Sequence, residues 1–182
     1  MKRWRKLSTR TVVRDRWISL RADTCQLPNG TVLDPYYVVE EREWVHVFAE
    51  DEDGKILVVR QYRYAGDAEC VELPGGVVDD GESPVDAARR ELHEETGHVA
   101  GELVEIATVF ANPARQTNRI HVFRARGMTR TAAQRLDASE DLSFEFATPD
   151  SIRKMIAIGE FSQALHISSF FLGMEARGVP GH

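Results

Sequence analysis

Three glutamates, Glu91, Glu94 and Glu95, crowd the stretch Arg90-Glu91-Leu92-His93-Glu94-Glu95-Thr96. Their spacing puts all three carboxylates on one face of a helix, with Glu91 and Glu95 a single turn, about 6 Å, apart. Like charges so placed repel by roughly a few tenths of a kcal/mol per pair. A hard divalent cation would neutralise them through oxygen donors, and the chemistry it would bring is metal-assisted hydrolysis. A solvated acidic helix face is the competing explanation, and such faces are common in acidic chains.

The neighbouring residues favour a built site. Ser83 is a good N-cap, Pro84 suits the first helical position and Asp86 places a carboxylate in the first turn. Gly97 supplies a left-handed stop, so the spacing predicts a helix from Pro84 to about Thr96. Val85, Ala88, Leu92 and Thr96 form a packing stripe beside the glutamates. Upstream, Leu73-Pro74-Gly75-Gly76 is poor in side chains, so backbone there can approach a phosphate or a metal.

Gly76, Glu82 and the run Arg90-Glu91-Leu92-His93-Glu94-Glu95-Thr96-Gly97 resemble the Nudix box, G-x5-E-x7-R-E-U-x-E-E-x-G-U, at every fixed position. The closing bulky apolar position is His98 instead. The resemblance implies Mg2+ or Mn2+ as cofactor. Glu91 and Glu95 are its expected ligands, Glu94 a third, and the backbone carbonyl of Gly75 a fourth. Arg90 is expected to pair with Glu82 and orient the glutamates rather than touch substrate. Glu91 and Glu95 would share the catalytic work with a general base. In related enzymes that base lies on a loop ahead of the last strand. Ser139-Glu140-Asp141-Leu142 falls there, and Glu140 is chosen over Asp141.

Resemblance continues outside the box. Val59-Arg60-Gln61-Tyr62-Arg63 and Glu72-Leu73-Pro74-Gly75-Gly76 look like the nucleoside-diphosphate-sugar hydrolases, including the ADP-ribose pyrophosphatases. The implied reaction cleaves a diphosphate bridge, giving a nucleoside monophosphate and a sugar phosphate. Glu72 belongs to the expected substrate site. Arg63 and Arg115 are candidates for the diphosphate, because guanidinium forks match phosphate oxygens. Tyr36 and Trp44 could stack on a base, although strand aromatics more often pack a core or an interface. Asn112 to Arg119 departs from the ADP-ribose pattern, and Gln163-Ala164-Leu165-His166 departs from an Asp-x-Lys motif of other nucleotide-sugar hydrolases. His46, His121 and His166 show no ligand spacing and read as structural.

The elements that must carry these groups form runs of strands around one central helix, with two helices at the end. Residues 10–41 alternate apolar and polar, with a turn at Pro28-Asn29-Gly30. Trp44 to Ala49 and Lys55 to Tyr64 read as a hairpin across an Asp51-Glu52-Asp53-Gly54 turn. Cys70 to Leu73, Leu103 to Phe110, Ile120 to Ala125 and Leu142 to Ala147 are further strands. Gly127 to Ser139 reads as a mobile polar loop. Helices are expected from Pro149 to Ile158 and from Ser162 to Arg177. The fold class is α+β. The resemblance implies a Nudix-type α/β/α sandwich with a mixed sheet and an N-terminal β extension. Residues 1–42 form that extension, which in the ADP-ribose branch exchanges between subunits of a homodimer, and 43–182 form the hydrolase domain.

A chain of 182 residues with a net charge of −6 suits one good core and lacks the basic stripe of a nucleic-acid binder. That charge should repel a diphosphate, and bound cations would resolve the conflict. The two cysteines, Cys25 and Cys70, stand in no metal-ligand spacing and read as buried apolar residues. No signal peptide or membrane-spanning run is visible, so the expected setting is cytoplasmic. The expected partners are a nucleoside diphosphate sugar and a second copy of the chain. Two alternatives stay open: a Nudix enzyme acting on dinucleotides or capped RNA, and a sensor that binds a nucleotide sugar without cleaving it.

Overall fold

The computed structural model describes residues 2–136 and 141–177, which group into two compact units. Unit one comprises 1–42 with 110–119, and unit two comprises 43–109 with 120–182.

In the first unit, β1 (Arg5–Arg14), β2 (Ser19–Gln26) and β3 (Val32–Val39) form an antiparallel sheet in that order. The basic N-terminal stretch is therefore strand, starting earlier than its alternation suggested. Arg5 donates to Gln26 (2.9 Å) and Ser8 to Thr24 (2.9 Å) across the first pair. Gly30 takes a positive φ of 89° in the β2–β3 turn, where its amide donates to the Leu27 carbonyl. The segment Phe110–Arg119 joins this unit by backbone bonds: Val39 N donates to Arg115 O (2.8 Å) and Thr117 N to Val39 O (3.2 Å).

The second unit is a layered α/β/α arrangement. Its mixed four-stranded sheet runs β7 (Gly75–Val77), β4 (Trp44–Ala49), β10 (Arg119–Arg126), β9 (Glu102–Phe110), with β4 and β10 parallel. An antiparallel sheet runs β12 (Leu142–Ala147), β5 (Ile56–Arg63), β6 (Ala68–Glu72). A short pair joins β8 (His98–Val99) to β11 (Thr129–Arg130). The helices are α1 (Pro84–Thr96), α2 (Pro149–Ile158) and α3 (Ala164–Ala176).

Alternation along β4 and β5 explains the layers. Val45, Val47, Ala49 and Leu57 face one core with Ala87, Ala88 and Leu92 of α1. Phe48, Ile56 and Val58 face a second core with Ile152 of α2 and Phe170 of α3. Each fully buried Leu or Phe here contributes about 1.5–3 kcal/mol.

The expected hairpin of β4 and β5 does not form. The two strands lie in different sheets, linked by a lone bridge between Glu50 and Ile56 and by the turn bond from Asp51 N to Lys55 O (2.9 Å). Val45 to Ala49 and Ile56 to Val59 are all buried, so each strand is the interior strand of its own sheet, covered on both faces. The polar loop expected from Gly127 is tied to α1 and β12 over its described part 127–136. Thr131 N donates to Gly97 O (2.9 Å), Arg135 N to Glu94 O (2.8 Å), and Gln134 Nε2 to Glu95 O (2.6 Å) and Leu142 O (3.3 Å). These donors satisfy carbonyls that the end of α1 leaves without helical partners.

Candidate active site

Capping fixes where α1 begins and ends. The Ser83 hydroxyl accepts from Asp86 N (3.3 Å), and Gly97 closes the helix at φ 72°, its amide donating to His93 O (2.8 Å). With the ends set, Glu91 and Glu95 fall on the packed side of α1 beside Leu92, and both are buried. The wheel expectation placed the carboxylates beside the core stripe; in the structure they are partly within it.

What they face is backbone. Register pairs Val45 with Gly76 and His46 with Gly75, and Val47 N donates to Pro74 O (2.8 Å), so β4 holds the turn from β6 into β7. Gly75 N donates to Glu95 Oε2 (2.9 Å). A Cβ at Gly76 would overlap the Glu91 carboxylate, so only glycine leaves room for that close approach.

Arg90 organises the remaining charge as expected. It grips both Glu82 oxygens (2.9 Å each), Glu91 Oε1 (2.8 Å), Glu94 Oε2 (3.2 Å) and Val77 O (3.0 Å). The hydrogen bond to Glu82, ahead of the charges and bonds of Glu91 and Glu94, holds the guanidinium above its ordinary pKa. Arg90 in turn holds the Glu82 carboxyl below its ordinary value. One guanidinium among Glu82, Glu91 and Glu94 leaves a formal surplus of negative charge.

The donor set fits a hard divalent cation. Carboxylate oxygens of Glu91, Glu95 and Glu94 and the carbonyl of Gly75 are the groups that would hold it, beside a backbone cradle that a Cβ would fill. Among the described residues no three His, Cys, Asp or Glu side chains already converge as a metal centre. Arg90 occupies oxygens of Glu91 and Glu94.

Behind the turn lies a buried polar network. Glu72, with no exposed surface, takes a two-pronged bond from Arg63 (Nε to Oε1, 3.1 Å; Nη2 to Oε2, 2.5 Å) and another from Gln61 Nε2 (3.1 Å). The Arg63 side chain remains 44% exposed. His166 of α3 accepts from Leu73 N through Nδ1 (3.1 Å), and its Nε2 lies 3.5 Å from Glu72 Oε2. His46 of β4 stacks on His166 at 3.8 Å between centroids and bonds Ser169 Oγ through Nδ1 (2.9 Å). Burial, then the Arg63 charge, pushes His166 down to about 3. Burial, then the neighbouring His166, also lowers His46 well below its ordinary value. Both rings are therefore neutral.

The structure brings Glu91, Glu94, Glu95, Gly75, Glu72 and Arg63 together in the second unit. Trp44 opens β4 there, half-buried, in register with Val77 and Ile120. Tyr36 and Arg115 belong to the first unit. Tyr36 donates its hydroxyl to Ala114 O (2.5 Å) and packs edge-on to Trp4, while Arg115 is exposed. Glu140 lies outside the described residues; Asp141 is exposed, just before β12. His98 is buried edge-on against Phe144 and Phe146, filling the apolar place in the box with a ring. His121 is set between Glu43 (2.8 Å) and Glu105 (2.9 Å). Cys25 and Cys70 are free and buried. Sequence reading missed the joint use of His46, His166 and Ser169. The i, i+3 spacing of His166 and Ser169 was its only local trace.

Known proteins resemble this chain over most of its length. The NUDIX domain family matches residues 40–165, and the nucleoside diphosphate sugar hydrolase N-terminal domain matches residues 4–39. The ADP-ribose pyrophosphatase of Bacillus subtilis (strain 168) is 32% identical over 148 residues, covering 81% of this chain and 80% of that protein. The methanol dehydrogenase activator of Bacillus methanolicus is 31% identical over 124 residues, covering 68% of this chain and 66% of that protein. A crystal structure of an ADP compounds hydrolase superposes with a TM-score of 0.84 at 21% identity, covering 98% of this chain and 97% of that one, and shares the fold.

Proposed function

Because the chain belongs to the Nudix hydrolase family and is a pyrophosphatase by that membership, we propose that it hydrolyses the diphosphate bridge of a nucleoside diphosphate sugar resembling ADP-ribose. The products are a nucleoside monophosphate and a sugar phosphate. The observation that carries this reading is the buried Glu91–Glu95 pair set against the Gly75–Gly76 backbone. The relatives named for ADP-ribose support the substrate class.

Mg2+ or Mn2+, when bound, would supply Lewis-acid polarisation of the phosphoryl oxygens. Glu91 and Glu95, with Glu94 and the Gly75 carbonyl, would hold the cation, while Arg90 keeps the carboxylates aligned. Arg63, fixed by Glu72 on one edge, offers its exposed edge to the diphosphate. Trp44 is the further substrate contact that the second unit offers in this reading. Glu140 is its general base, ahead of Asp141.

Hydrolysis of a panel comprising ADP-ribose, GDP-mannose, UDP-glucose, NADH and a dinucleoside polyphosphate tests the proposal. Turnover confined to the last two would replace it with the dinucleotide alternative, and tight binding without product would favour a sensor. The accompanying proposals are a homodimer and a cytoplasmic setting. Trp4, Leu7, Val12, Val13, Trp17 and Ile18 are all exposed on the first unit, an apolar display that supports self-association. Light scattering that gave only the monomer mass would refute the dimer. The two free thiols support the reducing compartment.

A further inference from the structure

We infer that His166 is a positioning residue for Arg63, fixing through Glu72 the direction in which that guanidinium is presented. The inference rests on the proposed role of Arg63 toward the diphosphate. Its geometry does not depend on that role.

Leu73 N donates to His166 Nδ1 at 3.1 Å, so Nδ1 is the unprotonated nitrogen and the ring carries its hydrogen on Nε2. Nε2 lies 3.5 Å from Glu72 Oε2, a polar contact longer than a hydrogen bond, on the oxygen that also receives Arg63 Nη2 and Gln61 Nε2. A buried carboxylate held by two donors, with the polar edge of the His166 ring against its Oε2, is confined in orientation, and its two-pronged bond copies that orientation onto the guanidinium. Among the described residues Arg63 has no other hydrogen-bonded partner, so the two-pronged bond to Glu72 is what holds the guanidinium in place, with the Glu95 charge acting on it through space. His166 is itself fixed by the stacked ring of His46, which Ser169 one turn further along α3 ties down. His46 pairs in register with Gly75, whose amide bonds Glu95. Helix α3, which contributes no group to the glutamate cluster, thus sets the geometry of the strand end opposite it.

Two substitutions separate the contacts of the ring. His166→Asn places an amide oxygen near the position of Nδ1, keeping the Leu73 bond and losing the Glu72 contact. His166→Gln reaches the position of Nε2 and keeps a donor toward Glu72. The direct readout is the Arg63 Nε–H resonance in solution, slow to exchange while the two-pronged bond holds. It should stay protected in wild type and His166→Gln and be lost in His166→Asn. Protection unchanged in His166→Asn would overturn the inference. So would a wild-type imidazole spectrum with the proton on Nδ1, which needs no variant to fold.

Kinetics with ADP-ribose separate this inference from the reading beneath it. His166→Asn should raise KM at least tenfold with kcat within threefold of wild type. The change should vanish in an Arg63→Ala background, since both substitutions remove the same uniform binding. Loss of the Nε–H signal with KM unmoved would leave His166 as the positioning residue and remove Arg63 from substrate binding. Additive KM effects of the two substitutions would sink the coupling and the inference with it.

Discussion

Gly76 shows how tightly a single residue can be tied to the chemistry. Its missing Cβ is the space that the Glu91 carboxylate occupies, so Gly76→Ala forces that side chain away from the backbone. The far end of a glutamate can move, so the fold should survive, with a stability change within about 1–3 kcal/mol. Activity should fall at least about tenfold, because a small misplacement of a reacting constellation is costly. Normal turnover in the Gly76→Ala enzyme would show that Glu91 does not work from this position. The glutamate spacing and the glycine were both legible in the sequence, since helical periodicity alone puts the carboxylates together. The burial of Glu72 was not legible, because nothing in Val71-Glu72-Leu73 reveals that α3 brings His166 over it. Long-range contacts of that kind leave no trace in local spacing.

At the scale of elements, caps were the most readable feature. Ser83, Pro84 and Gly97 bounded α1, and Thr148 with Pro149 opened α2, as the structure has them. The β4–β5 hairpin misled because a good turn between two apolar strands is necessary for a hairpin but not sufficient. Strands buried on both faces find their partners in separate sheets. The ties of the segment after β11 were not legible, because polar composition does not reveal that its backbone amides and the Gln134 side chain meet the carbonyls of α1. Gln134 is the clearest case, joining Glu95 O to Leu142 O and so tying the end of α1 to the start of β12. Gln134→Ala strands two acceptors and should cost about 1–3 kcal/mol in urea unfolding. A midpoint identical to wild type would mean that this tie carries no stability.

For the whole molecule, the buried histidines set the response to acid. His46 and His166 have folded pKa values below the ordinary value of about 6.5, His166 at about 3. Above about pH 6.5 both folded and unfolded states hold them neutral, and stability is complete. Below it the unfolded chain takes up protons that the folded chain refuses, so stability falls by about 1.4 kcal/mol per pH unit per histidine until the folded pKa is reached. Glu82, held below its ordinary value by Arg90, acts in the same direction at lower pH. Urea unfolding at about pH 7.5 and about pH 5 should therefore differ by about 2 kcal/mol from His166, with His46 acting in the same direction, and His166→Gln should remove the His166 share. A flat profile between those values would contradict the buried neutral pair. The central claim is that Glu91 and Glu95 together carry the hydrolysis, and single-turnover rates on ADP-ribose with saturating Mg2+ test it most directly. Glu91→Gln and Glu95→Gln should each slow product formation by about 100-fold or more, as expected when a group that stabilises transition-state charge is removed, with unfolding midpoints close to wild type. Near-normal rates in either variant would contradict the account.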